Sequence, residues 1–188
     1  MDSTTQYAMA YALSTSAGIR ALLPLALVSI AAHLGYVHPP SGLQWLGSTP
    51  VTAVLIAIAA IEILADKIPI VDHALHFAQI ATKPAAAAIL VAGTAHPQHR
   101  EVLVTLMVLG ALNALGVHAF TSGVRIGSTA TTAGIANPII STAEDLAATG
   151  TTALAFVAPF LAAAAALIMA ILIAFVVRRV YRRRKTAR

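Results

Sequence analysis

The chain has 188 residues, of which 59% are hydrophobic and 10% charged, and its mean hydropathy is +0.83. A soluble domain carries roughly a quarter charged residues. This composition therefore excludes a water-soluble fold, whose surface would lack polar side chains, and makes lipid the expected solvent. The net charge of +5 is concentrated at one end: seven of the 12 Lys and Arg residues are Arg178, Arg179, Arg182, Arg183, Arg184, Lys185 and Arg188. Outside that tail five basic residues face seven acidic ones. A basic run after an apolar helix marks the cytoplasmic side, with attraction to anionic lipid as a secondary effect. Nothing else supports nucleic-acid binding. The absence of cysteine removes disulfides, thiolate metal sites and cysteine nucleophiles. Met1 to Tyr11 lack a basic n-region, so a cleavable signal peptide is not expected.

In chain order, the first apolar stretch covers Tyr7 to Val37, interrupted by Ser14-Thr15-Ser16, Gly18-Ile19-Arg20 and Pro24. It reads as an approach segment, a break near Gly18, and a helix from Gly18 to Gly35, ended by His38-Pro39-Pro40-Ser41-Gly42. Tyr36 and Trp45 beside that loop suit an interface. A second helix is predicted from Pro50 to Asp66. Val71 to Ile80 reads as a short amphipathic helix, and Ala85 to Gly93, after Lys83-Pro84, as an apolar helix too short to span unless preceding residues extend it. After the polar loop from His96 to Arg100 a helix is predicted from Glu101 to Phe120, followed by a Ser-, Thr- and Gly-rich stretch with breaks. A fifth helix is predicted from Pro138 to Thr149 and a last one from Thr151 to Val177, bent or tilted at Pro159.

The expected fold is all-α: a polytopic membrane helical bundle of about five to six transmembrane or partial helices. Residues 1–177 form a single transmembrane domain and residues 178–188 a basic cytoplasmic tail. Thr15-Ser16-Ala17-Gly18-Ile19 is echoed by Thr131-Thr132-Ala133-Gly134-Ile135, each followed by a proline, Pro24 and Pro138. The echo reads either as an internal repeat with halves 1–97 and 98–177, or as coincidence in an Ala- and Thr-rich chain. Interrupted segments in matching halves point to a transporter built from repeats. In such a protein, backbone freed at a break near Gly18 or Gly134 faces a solute.

Isolated charges in a membrane helix cost about 2.5–3.5 kcal/mol each on insertion scales, so those retained need a reason. Glu62 and Asp66, four apart, share a helix face, with Lys67 as a neutralising partner. Glu144 and Asp145 follow Asn137-Pro138 and require donors or a counter-ion, for which Arg20 and Lys67 are the candidates. The competing reading of both groups is an interfacial position at a helix end. Asp72, His73 and His76 lie on one helical face, the pattern of a divalent-metal site or a pH sensor, and His96 and His99 add a second pair. No ligand set is closed, and no cofactor is expected, since a Gly-rich phosphate loop is missing. Asn113 and His118 suit helix–helix hydrogen bonding.

The runs Leu64-Ala65-Asp66-Lys67-Ile68-Pro69-Ile70-Val71-Asp72-His73, Ser128 to Pro138 and Ser141-Thr142-Ala143-Glu144-Asp145, with Gly18-Ile19-Arg20-Ala21-Leu22-Leu23-Pro24, carry a resemblance. The chain resembles a bacterial family of multi-pass membrane proteins of unknown function over nearly its whole length. The resemblance implies a multi-pass fold and no activity. A weaker likeness is to small cation exchangers with a Glu-x-Gly-Asp-Lys element, from which Glu62 and Asp66-Lys67 differ in spacing and in lacking the glycine.

The expected function is a small channel or secondary transporter for an ion or small polar solute. Its path would be formed by Glu62, Asp66, Lys67, Glu144, Asp145, Arg20, Asn137, Gly18 and Gly134. The expected partners are the bilayer and that solute, in a bacterial plasma (inner) membrane. Small residues between Gly110 and Gly116 permit close packing within a chain or in a homo-oligomer. The alternatives are a non-transporting scaffold or assembly factor with internally paired charges, and a membrane-embedded enzyme acting on lipid at Asp72 and His73. An enzyme is not expected, because no nucleophile–base set is apparent.

Overall fold

The computed structural model describes residues 1–66 and 69–186, with side chains for all of these except 69–77, 180, 181 and 183–186. Seven α-helices account for most of it: α1 (Ser3–Ile19), α2 (Leu22–His33), α3 (Thr49–Ala65), α4 (Pro69–Thr94), α5 (Arg100–Thr132), α6 (Asn137–Val157) and α7 (Pro159–Thr186). A short 3-10 helix (Ser41–Gly47) precedes α3, and there is no strand among the described residues.

α5 and α7 are long and apolar enough to cross a membrane, and the 3-10 helix with α3, bent by 61°, passes as a third candidate span. Their outward faces explain why water is excluded as a solvent: Val104, Val108, Leu109 and Leu112 on α5, and Leu167, Ile168, Ile171, Leu172 and Phe175 on α7, are all more than half exposed. Contiguous apolar surface on this scale is what a membrane setting accommodates.

α1 is the central helix. Every residue from Leu13 to Ile19 is buried, and it packs against α4, α5, α6 and α7. Small side chains allow this. At Gly18 an added Cβ would lie 2.6 Å from Val117 Cβ and 2.8 Å from the Ala114 carbonyl oxygen, so the backbones of α1 and α5 are in direct contact. Polar bonds tie the same seams. Ser16 Oγ meets the Ala148 carbonyl oxygen at 2.9 Å and Thr152 Oγ1 at 2.8 Å on α6, and the Asn113 amide on α5 donates to Ser14 (3.0 Å) and Thr15 (2.7 Å).

These contacts fix directions. α1 runs parallel to α5 and antiparallel to α4 and α6. α2 doubles back, so Ala31 near its C-terminal end, with Val37 and His38 in the loop beyond it, lines a cavity of about 480 Å³ together with Met1, Gln6 and Met9 from the start of the chain. We call this the head end. α6 finishes there at Phe156 and Val157, and α7 leaves it towards the basic residues at the tail end.

Several predicted boundaries shift, each for a local reason. The first break falls at Arg20-Ala21 rather than Gly18: Arg20 is extended (φ −132°, ψ 127°), and Gly18 serves the α1–α5 crossing instead. The predicted helix from Gly18 to Gly35 is thus two elements. α4 is one helix, not two, because Gln79, Lys83, Ala86, Ala87, Leu90, Val91 and Thr94 form a continuous buried stripe at helical spacing through Pro84. α5 continues past Phe120, and its hydroxyls there are satisfied by carbonyls of their own helix, as from Ser122 to His118, Thr129 to Arg125 and Thr132 to Ser128. The α6–α7 break stands at Ala158, where Pro159 disfavours helix, rather than near Gly150. α7 runs on through Arg178, Arg179 and Arg182, so the basic tail begins as a helix.

The Gly18 crossing yields a stability prediction. Gly18→Ala should destabilise the protein by about 1–3 kcal/mol through overpacking. Gly123→Ala, where a Cβ meets nothing within 4 Å, should be neutral or gain about 0.5–1 kcal/mol. Thermal unfolding of both variants in detergent tests the contrast, and equal melting temperatures would contradict the close approach.

Candidate functional site

The tail end of the interior holds the charges. Arg20 has no exposed surface. It sits where α1 stops, its N–H bonded to the Ser16 carbonyl oxygen at 2.9 Å. Its Nη2 donates to the Ser141 carbonyl oxygen (3.1 Å) and hydroxyl (2.7 Å). Three carboxylates surround the same guanidinium: Asp66 at Nη1, Asp145 at 2.8 Å from Nε, and Glu144 at 3.8 Å from Nη2.

Asp66 caps the C-terminus of α3 and is 3% exposed. Its Oδ2 is shared: Arg20 approaches from one side, and Arg125 Nη2 on α5 donates from the other at 3.1 Å. Among the described residues its Oδ1 has no hydrogen-bond partner. Arg125 also grips Glu144, with Nη2 on Oε2 and Nε 3.4 Å from Oε1. The result is a buried chain of alternating charge across the α1–α2 break, the end of α3, α5 and α6. A charge buried here is largely shielded from bulk solvent, so its partners stabilise it.

Glu62, one turn before Asp66 on the same face, is also buried, but its partners are backbone donors: the N–H of Ala21 at 3.4 Å and of Leu22 at 3.0 Å. These are groups left without helical acceptors at the start of α2. Nearer the head end, Lys83 on α4 is 3% exposed and hydrogen-bonded to His118 Nδ1 on α5 at 3.1 Å.

The structure therefore brings together Arg20, Asp66, Glu144 and Asp145, with Glu62 beside them. Glu144 and Asp145 stand within α6. Gly134 and Asn137 are not in this cluster. Ala133 (φ 52°) and Gly134 (φ 86°) make the left-handed turn between α5 and α6, and the Asn137 amide donates to Thr129 at 3.0 Å. Gly18 is buried in a helix crossing. Lys67 and the side chains of Asp72, His73 and His76 lie outside the described residues, and among the described residues no group of three or more His, Asp or Glu could hold a metal ion.

Two buried cations escaped the sequence reading. Among the described residues Arg125 is the second counter-ion; Lys67, the candidate read from the sequence, lies outside them. Lys83 was passed over beside Pro84, and His118 proves to be its partner. The available signal was scarcity: Arg125 is the sole basic residue between Glu101 and Val177, and an isolated cation in such a chain demands an acid.

Removing one partner of a buried ion pair leaves an uncompensated charge. Arg125→Met should therefore cost about 3–5 kcal/mol, whereas Arg125→Met combined with Glu144→Gln should recover part of the loss. Melting temperatures of the two variants provide the check, and additive losses would argue against the pairing.

Residues 7–179 match the family described as Domain of unknown function (DUF4126), and the chain belongs to that family. No curated protein and no solved structure matches it.

Proposed function

We propose that the chain is a small secondary transporter or channel for an ion or small polar solute, with the Arg20–Asp66–Arg125–Glu144 cluster as its binding and gating centre. The observation that carries this reading is the sharing of buried guanidiniums among Asp66, Glu144 and Asp145 at a helix break. Such a cluster can exchange one internal partner for a solute ion or a proton without leaving a charge bare. A broken helix at a midplane or inner-third site is the usual membrane architecture for this exchange.

In this proposal α3 to α7 are five spans and α1–α2 is a re-entrant hairpin entering from the head end. α2, with 12 residues, reaches about 18 Å, too short to cross a 30 Å core. The head-end cavity, with Gln6, His38 and His96 at its rim, is the outer vestibule. Arg178, Arg179 and Arg182 hold the tail end in the cytoplasm of a bacterial cell. Reporter fusions test this topology: a C-terminal fusion should report cytoplasm and an N-terminal fusion the opposite side. The same side for both would remove the re-entrant hairpin.

Transport itself is tested with purified protein in vesicles of phosphatidylethanolamine and phosphatidylglycerol, under imposed gradients of protons, sodium, potassium and chloride. Flux above empty vesicles is expected, and Glu144→Gln should lower it at least about tenfold, the loss of one essential charge contact. Normal flux in that variant would take Glu144 out of the mechanism.

A second reading, a scaffold with internally paired charges, draws on the directness of the pairing, with Arg125 and Asp66 at 3.1 Å and Arg20 and Asp145 at 2.8 Å. It predicts no flux under any gradient and a large loss of stability when one partner is removed.

A further inference from the structure

Glu62 differs from the other acids of the cluster. Asp66, Glu144 and Asp145 each lie against a guanidinium. Glu62 is 5% exposed, yet among the described residues its carboxylate partners are the N–H groups of Ala21 and Leu22 alone. An ionised acceptor makes a bond roughly twice as strong as a neutral one, so this fastening depends on the charge of one side chain.

What Glu62 fastens is lightly held elsewhere. Of the 17 residues of α3, Thr52, Ala59 and Glu62 are the buried ones, and α3 leans chiefly on α2. The head-end tie is the Ser29–Thr52 hydroxyl pair at 2.9 Å. The tail-end tie is Glu62 on the first donors of α2. Asp66 follows one turn later at the charge cluster, so any motion of α3 at this end moves a partner of both arginines.

We propose that Glu62 is the site that takes up the coupling proton, and that its protonation frees the tail end of α3 from the α1–α2 break. This rests on the transport reading and names the coupling ion. The proton adds to a carboxylate oxygen. The N–H groups of Ala21 and Leu22 lose their anionic acceptor and turn to water or solute, and Asp66 is carried away from Arg20 and Arg125. The ionisable groups around Glu62 are Asp66 on α3, Arg20 at the break, Lys83 from α4, which lies within electrostatic reach of both Glu62 and Glu144, Arg125 and His118 on α5, and Glu144 and Asp145 on α6.

The chain has no cysteine, so Leu23→Cys with Ile61→Cys introduces a unique pair of thiols for spin labels across the start of α2 and the end of α3. The full chain in phosphatidylethanolamine–phosphatidylglycerol vesicles is measured at about pH 8 and about pH 4, a window that spans the ordinary glutamate range and also titrates histidine. The expected result is a shift to longer distances at the lower pH. Glu62→Gln, which removes the charge on which the fastening depends, should give the long distance at both pH values, assigning the response to Glu62 and not to a histidine. A wild-type distance indifferent to pH, or a Glu62→Gln variant that still follows pH as the wild type does, would overturn the proposal. The wild-type measurement needs no substitution at Glu62 and so stands even if the variant misfolds. Ion flux with a pH-insensitive distance would sink this proposal alone, whereas a pH-driven distance change without flux of any ion would sink the transport reading and keep the protonation switch.

Discussion

One carboxylate oxygen, Oδ2 of Asp66, is held between the guanidiniums of Arg20 and Arg125, and much of the tail half of the protein is arranged around that contact. Neither arginine could remain in an apolar interior alone, and Asp66 could not either. Their meeting joins residues separated by more than 100 positions in the chain. It also sets local structure. α1 stops where Arg20 must turn inward, α3 stops where Asp66 caps it, and Ser141 on α6 lends both its carbonyl and its hydroxyl to the arginine. Glu144 and Asp145 complete the neutralisation from the same helix. The ion cluster is thus the point at which four segments are registered against one another.

Elsewhere the bundle is held by a different physics. In lipid there is no hydrophobic force drawing helices together, so close packing and interhelical hydrogen bonds must do it. α1 is made for this, with Ser14, Thr15, Ser16, Ala17 and Gly18 in succession, all buried. Its hydroxyls reach Asn113 on α5 and Thr152 on α6, and its glycine lets α5 come to backbone contact. Large apolar side chains are spent on the outside, where they meet lipid tails.

How much of this could be read beforehand divides by mechanism. The all-helical class and the membrane setting followed from the scarcity of charge. The paired faces of Glu62 and Asp66 followed from helical spacing, and Arg20 as a counter-ion from its isolation. Local breaker residues misled. Pro84 lies within a helix because a buried stripe continues on both sides of it, and the Ser- and Thr-rich run after Phe120 is helical, with hydroxyls that find acceptors on their own helix. Gly18 looked like a hinge and is a packing site, since a glycine's lack of Cβ serves both purposes and composition does not separate them. Arg125 was missed because pairing across 59 positions, from Asp66 to Arg125, leaves no periodic trace. Both copies of the Thr-x-Ala-Gly-Ile echo do stand at the tail end of a helical hairpin, α1–α2 and α5–α6, and α4 between them returns the chain to the head end, so any duplication would be of parallel and not inverted sense.

The crossing at Gly18 bears on how such a molecule can deform. Two backbones in touch, with Val117 and Ala114 where a Cβ would go, cannot slide past each other like helices cushioned by long side chains. α1 and α5 then behave as a single welded post. Mechanical freedom is left to whatever is bolted to that post more loosely, and α3, cantilevered on α2, is the arm with the least apolar anchorage.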